Sequence, residues 1–222
     1  MPYILNIETA TKNCSVSIAK DGVTILCKEM AEQGYSHAEK LHVFIEESLR
    51  ELNLTFRDLA AVAVSQGPGS YTGLRIGVSA AKGLCFALDI PLIAVDTLAV
   101  LAAQVENEEG YIVPMIDARR MEVYSAVFNS KHEKVRNIEA EIITEQSFAR
   151  WGKTIYLVGD CQEKCKTVFT DSNFIFLESV VYPSAKEMSA LSFILYQNKS
   201  FVDVAYFEPY YLKDFMAGVS KK

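Results

Sequence analysis

Twice along this chain the same order of segments begins: an apolar strand, a tight turn, an alternating strand, and then helices that take turns with strands. Tyr3–Thr9 ("YILNIET") is rich in apolar and β-branched residues, "CSVSIAK" alternates, and "VTILCKE" alternates more loosely. Asp21-Gly22 stands between the last two as a hairpin signal, so the chain opens with three antiparallel strands in a row. The second start is Tyr111–Asp117 ("YIVPMID"), followed by the turn "ARR" and the alternating "MEVYSAVFN", which make a second hairpin. Two halves built this way point to a duplicated α/β fold of two mixed-sheet lobes with flanking helices.

The first half continues with a helix over Ser36–Leu52. Ser36 and Glu39 have capping-box spacing, and Leu41, Phe44, Ile45, Leu49 and Leu52 mark one apolar face. Leu59–Val64 reads as a buried strand, Gly73–Leu88 as a second helix, "PLIAV" (91–95) as a strand and Thr97–Glu106 as a third helix. Consecutive strand–helix–strand steps predict a parallel part of the sheet with right-handed crossovers. The polar, acidic "VENEEG" changes the composition near residue 106, which divides the chain into an N-terminal lobe, 1–106, and a C-terminal lobe, 107–222. In the second half, "EIITEQSFARW" reads as a loop and a short helix, "TIYLVGD" and "FIFLE" as strands, and "CQEKCKTVF" and "SAKEMSALSFILYQ" as helices. Ser184 and Glu187 form another capping-box pair.

Composition narrows the function. Half of the 222 residues are hydrophobic, enough for a sizeable core, and the net charge of -6 argues against a surface that grips nucleic acid unaided. No 18-residue apolar run and no basic leader are visible, and the five scattered cysteines suit reduced core thiols, so the expected location is the cytoplasm.

The stretch "SQGPGSYTGLRIG" (65–77) is the most unusual segment. It lacks the Gly-Lys-Ser/Thr of a Walker A loop, and Gly67, Gly69 and Gly73 are spaced one residue too widely for a dinucleotide fingerprint. The amides opening the following helix are still suited to an anion. That helix is built largely of small residues: Gly73, Gly77, Ala80, Ala81, Gly83, Leu84 and Ala87 make much of it. Each interior glycine costs roughly 1 kcal/mol relative to alanine, so close approach of another backbone must compensate. The other surface is either the chain's own lobe or a second subunit; in the latter case Arg75 projects as a charged anchor, while Leu74, Ile76, Val78 and Phe86 face the home core. Catalytic groups are sparse. His37 and His42 are five residues apart and make a poor metal pair, and His132 lies in a polar loop. Cys161 and Cys165 have no second pair to complete a zinc site. Glu8 ends the first strand where a magnesium–phosphate group is conceivable, and Asp117 ends the corresponding second-half strand, where turn amides, Arg119 or Arg120 are its structural partners.

Together "ILNIETATKNCSVSIAKDG", "SHAEKL", "GPGSYTGLRIGVSAAKGLCFAL", "PLIAVDTL", "IDARRMEVY" and "EPYYLK" resemble the TsaB (YeaZ) family of the bacterial tRNA threonylcarbamoyladenosine machinery. The resemblance implies the actin/Hsp70/sugar-kinase fold. It implies a non-catalytic scaffold that binds a TsaD-type transferase acting on tRNA adenosine 37, a TsaE-type ATPase in the same complex, self-pairing through the same face, contact with tRNA only through the partner, and no cofactor or metal. The related transferases hold a metal through H-x-x-x-H, whereas His37 and His42 here are H-x-x-x-x-H, and Glu8-Thr9 stands where relatives commonly carry Asp-Thr. The implied interface comprises His37, Leu41, Phe44, Ile45, Gly73, Arg75, Gly77, Ala80, Ala81 and Leu84; Glu8, Thr9, Gly67 and Gly69 are left as a vestigial phosphate loop. The rival expectations are a stand-alone ATP-binding phosphotransferase or glycoprotease-like peptidase, and a direct tRNA-binding module.

Overall fold

The computed structural model describes residues 1–31, 37–107 and 109–212. It contains two five-stranded sheets of the same topology. Strands β1 (Tyr3–Glu8), β2 (Asn13–Lys20) and β3 (Val23–Ala31) form the opening meander, and β4 (Leu59–Gly67) and β5 (Leu92–Asp96) add on the other side of β1 in parallel. The order is β3-β2-β1-β4-β5. In the second sheet β6 (Tyr111–Asp117), β7 (Glu122–Asn129) and β8 (Lys134–Ile142) form the meander, and β9 (Ile155–Gly159) and β10 (Phe174–Phe176) the parallel part. Read from β8, the order β8-β7-β6-β9-β10 repeats the first sheet strand for strand. The duplication expected from the segment order is therefore present in the pairing itself.

Local chemistry explains the elements. The central strands β1 and β4 are buried on both faces and read as nearly unbroken apolar runs. Asp21 and Gly22 both have positive φ (51° and 82°), as a two-residue hairpin turn between right-twisted strands requires. Helix α1 (His37–Glu51) packs Leu41, Phe44, Ile45 and Leu49 onto β2 and β3; its expected cap, Ser36, lies outside the described residues. Helix α2 (Tyr71–Leu88) starts two residues before the expected Gly73, because Ser70 caps it by accepting from the Gly73 N–H. Helix α3 (Thr97–Ala102) is shorter than expected: Gln104 and Val105 bond back to Leu101 and Ala102 and tighten the last turn. A short helix α4 (Gln162–Lys166) follows β9. Strand β8 is not among the elements expected from the sequence.

Helix α5 (Ala185–Gln197) crosses back from the second half to the first sheet. Ser184 caps it by accepting from the Lys186 N–H and donates its own hydroxyl to Glu29 on β3. Met188 packs with Ile4, Ala61, Ala63, Ile93 and Val95, so the first sheet has α1 and α2 on one face and α5 on the other. The stretch after residue 106 is thus divided: among its described residues, 185–212 pack with the first lobe.

Candidate functional site: the glycine loop and helix α2

The glycines answer first to their own lobe. A Cβ on Gly69 would sit 2.4 Å from the Ala10 carbonyl oxygen, on Gly73 2.1 Å from the Thr9 carbonyl oxygen, and on Gly77 2.3 Å from Thr9 Oγ1. At four-residue spacing the three lie on one side of the helix start, pressed onto the turn between β1 and β2. Thr9 Oγ1 donates to the Gly73 carbonyl (2.8 Å), and the Ser70 N–H donates to Ala10 (2.7 Å). Gly67, at φ 109°, faces the Tyr210 carbonyl.

Glu8 lies beneath this contact with no solvent exposure. Its Oε1 accepts from the Ala10 N–H (2.6 Å) and Ser65 Oγ (3.0 Å), and its Oε2 has no partner. Burial pushes the carboxyl up to about 7, more than the backbone and Ser65 hydrogen bonds pull it down. The Gly67 N–H donates to Thr97 Oγ1, and the Ser70 and Gly73 N–H groups are taken by Ala10 and Ser70. Of the four residues expected as a phosphate loop, Glu8, Thr9 and Gly67 are buried and hydrogen-bonded within the chain, and Gly69 is half-buried against Ala10.

Burial divides the residues expected at the interface. Gly73, Gly77 and Ala81 on α2, and His37, Leu41, Phe44 and Ile45 on α1, are buried within the first lobe. They are small or apolar because the sheet and the β1–β2 turn lie against them. Ala80 and Leu84 are half-buried, and Arg75 is exposed. Phe86, expected to face the core, is 85% exposed, and nothing lies within 4 Å of a Cβ placed on Gly83. The outward ridge of α2 is therefore Ser79, Gly83 and Phe86, flanked by Ala80, Leu84 and Ala87. Val43 adds an exposed apolar side chain on the neighbouring α1. A signal for this was present: Arg75, Ser79, Lys82 and Phe86 recur at four, three and four residues, so Phe86 shares a face with two cations.

The remaining candidates are dispersed. His37 Nε2 meets the Thr11 carbonyl at 2.8 Å, and burial lowers its pKa, whereas His42 is exposed; the two do not converge. Asp117 pairs with Lys164 rather than with the guanidinium of Arg119 or Arg120; Arg119 offers it only a backbone N–H (3.0 Å). Cys161 and Cys165 are buried free thiols, with Cys165 Sγ 3.9 Å from Met115 Sδ. No described helix is long and apolar enough to cross a membrane.

Comparison with known proteins places this arrangement. The model of the TsaD family, tRNA N6-adenosine threonylcarbamoyltransferase, matches residues 27–214. The tRNA threonylcarbamoyladenosine biosynthesis protein TsaB of Haemophilus influenzae is 30% identical over 95% of this chain and 93% of its own length. The chain belongs to the TsaB family. TsaB of Escherichia coli is 28% identical, covering 96% of both chains. The solved structure of YeaZ from Pseudomonas aeruginosa superposes with a TM-score of 0.84 at 24% identity, over 96% of this chain and all of that one, which shows the shared fold. Membership assigns the chain to tRNA threonylcarbamoyladenosine biosynthesis, and its architecture is the duplicated actin/Hsp70 type.

Proposed function

We propose that this chain is the non-catalytic docking subunit of a TsaD-type transferase, working in the cytoplasm, and that it supports transfer of a threonylcarbamoyl group to tRNA without chemistry of its own. The observation that carries this reading is the ridge on α2: a large aromatic, 85% exposed, stands one turn from an open glycine, and the two cations beside it, Arg75 and Lys82, are engaged by residues 205–211. A knob beside a hole is what a packed helix pair needs. The transferase family model runs through both α1 and α2, so a transferase helix and a second copy of this chain would offer related surfaces to the same ridge. The burial of Glu8 and Thr9 supports the non-catalytic part, since both groups are engaged inside the lobe. In this reading the docking lobe is residues 1–106 with the returning segment 185–212, a TsaE-type ATPase joins the assembled pair, and tRNA is reached through the transferase.

The test is size-exclusion chromatography with light scattering, using this chain and the transferase of the same organism. The wild-type chain should co-elute with the transferase, and Phe86→Asp should elute separately with an unchanged circular dichroism spectrum. Co-elution of the Phe86→Asp chain, or none of the wild type, overturns the reading. Tight binding of ATP with magnesium to the isolated chain, measured by titration calorimetry, would overturn the non-catalytic part.

A further inference from the structure

After α5 the chain stays on the first lobe and runs along the flank of α2. Val202 bridges to Leu92 at the outer edge of β5. Asp203 then turns the chain by accepting from the Ala205 and Tyr206 N–H groups (2.7 and 2.9 Å). Lys82 Nζ donates to the carbonyls of Ala205 (3.0 Å) and Phe207 (3.1 Å). At the other end of the helix, the Tyr210 N–H donates to Gln66 (2.7 Å), and Arg75 Nε donates to Tyr211 Oη (3.2 Å). The Arg75 guanidinium lies 4.0 Å from the centre of the Tyr71 ring, and the Tyr71 and Tyr211 rings are 5.1 Å apart. Val204 and Phe207 join the edge of the first-lobe core.

Arg75 and Lys82 are the two cations of α2. Both are drawn onto this strap, and the ridge beside them is left with Ser79, Gly83 and Phe86. We propose that residues 203–211 are a latch that prepares α2 for docking, an inference that rests on the docking function proposed above. Latched, the ammonium of Lys82 is satisfied by two carbonyls and stays out of the contact. Unlatched, it stands free beside Phe86, one turn away, and an incoming apolar surface has to strip its water without giving it a partner.

The latch is tested without touching the ridge. In Phe207→Ala/Tyr211→Ala the two aromatic holds on the strap are removed while Lys82 and Arg75 remain; Asp203→Ala, which removes the turn, is the second way to open it should the double variant fail to fold. Hydrogen exchange should show 203–211 released while α2 and the strands stay protected, and affinity for the transferase should fall by roughly tenfold or more. Adding Lys82→Met to the opened chain should restore most of that affinity, which a merely structural role would not do. Unchanged affinity in a chain whose strap is released overturns the latch. So does a loss that Lys82→Met fails to restore, because the strap is then itself the contact. Failure of the wild-type chain to bind the transferase overturns the docking reading first, and the latch with it.

Discussion

Glu8→Gln should make this protein more stable at neutral pH, and the gain should itself depend on pH. Glu8 is fully buried, accepts two hydrogen bonds on Oε1 and has none on Oε2, and its carboxyl is raised from 4.5 to about 7. The folded chain therefore holds the Glu8 proton more tightly than the unfolded chain does. Below the ordinary value both states are protonated and Glu8 costs nothing. As pH rises through the window from 4.5 to about 7 the unfolded state ionises first, so stability falls, and above that window the full penalty persists. At about 1.4 kcal/mol for each pH unit the penalty is on the order of 3 kcal/mol, most of it developing between about pH 5 and pH 8. Glutamine keeps an acceptor for Ala10 and Ser65 and does not ionise. Urea unfolding of both chains across that range should give a stability difference that widens by about 2.5 kcal/mol toward high pH. A difference that does not change with pH would mean that Glu8 titrates alike in the folded and unfolded chains, and the sealed-carboxyl account of the β1–β2 turn would be wrong.

Other substitutions probe the remaining contacts. Gly77→Ala should destabilise the monomer itself, by about 2 kcal/mol or more, because the new methyl meets Thr9 Oγ1 at 2.3 Å; in a Thr9→Ala background the cost should largely vanish, giving a coupling that thermal unfolding of the four chains can measure. Gly77→Leu should therefore unfold the lobe rather than merely block docking, and a well-folded Gly77→Leu monomer by circular dichroism would refute the internal packing described above. Met188→Ala should cost about 2–5 kcal/mol by urea unfolding, since Met188 is fully buried between α5 and the first sheet. A Gly83→Ala change, with open space around it and helix propensity in its favour, should raise monomer stability by up to about 1 kcal/mol while weakening docking; a tighter complex would show that Gly83 is not a hole.

Strand order and duplication were legible because they rest on short-range signals: Asp21-Gly22 fixes one hairpin, and Tyr111–Asp117 with the alternating residues after "ARR" fixes the other. Strand β8 escaped because Lys134–Ile142 is an edge strand whose alternation carries Arg136, Glu139 and Glu141 instead of apolar residues. The small-residue stripe was legible as a stripe but not as a contact. Its partner, Thr9, lies more than sixty residues away in sequence, and a missing side chain looks the same whether a neighbouring loop or another subunit fills the space. The apolar character of Phe86 points to the core, whereas its register with Arg75 and Lys82 puts it on the outer face, where it stands exposed. The strap was out of reach altogether, since backbone carbonyls of Ala205 and Phe207 hold Lys82 and carry no residue-type signature.

The return of α5 sets the timetable of synthesis. Ile4, Ala61, Ile93 and Val95 emerge from the ribosome early, yet the helix that covers them, with Met188, ends at Gln197, after the whole second lobe has been made. A nascent chain halted before residue 185 carries a finished meander with a bare apolar back, a surface for a chaperone to hold. Until α5 has been made and has folded back, the second face of the first sheet stays uncovered.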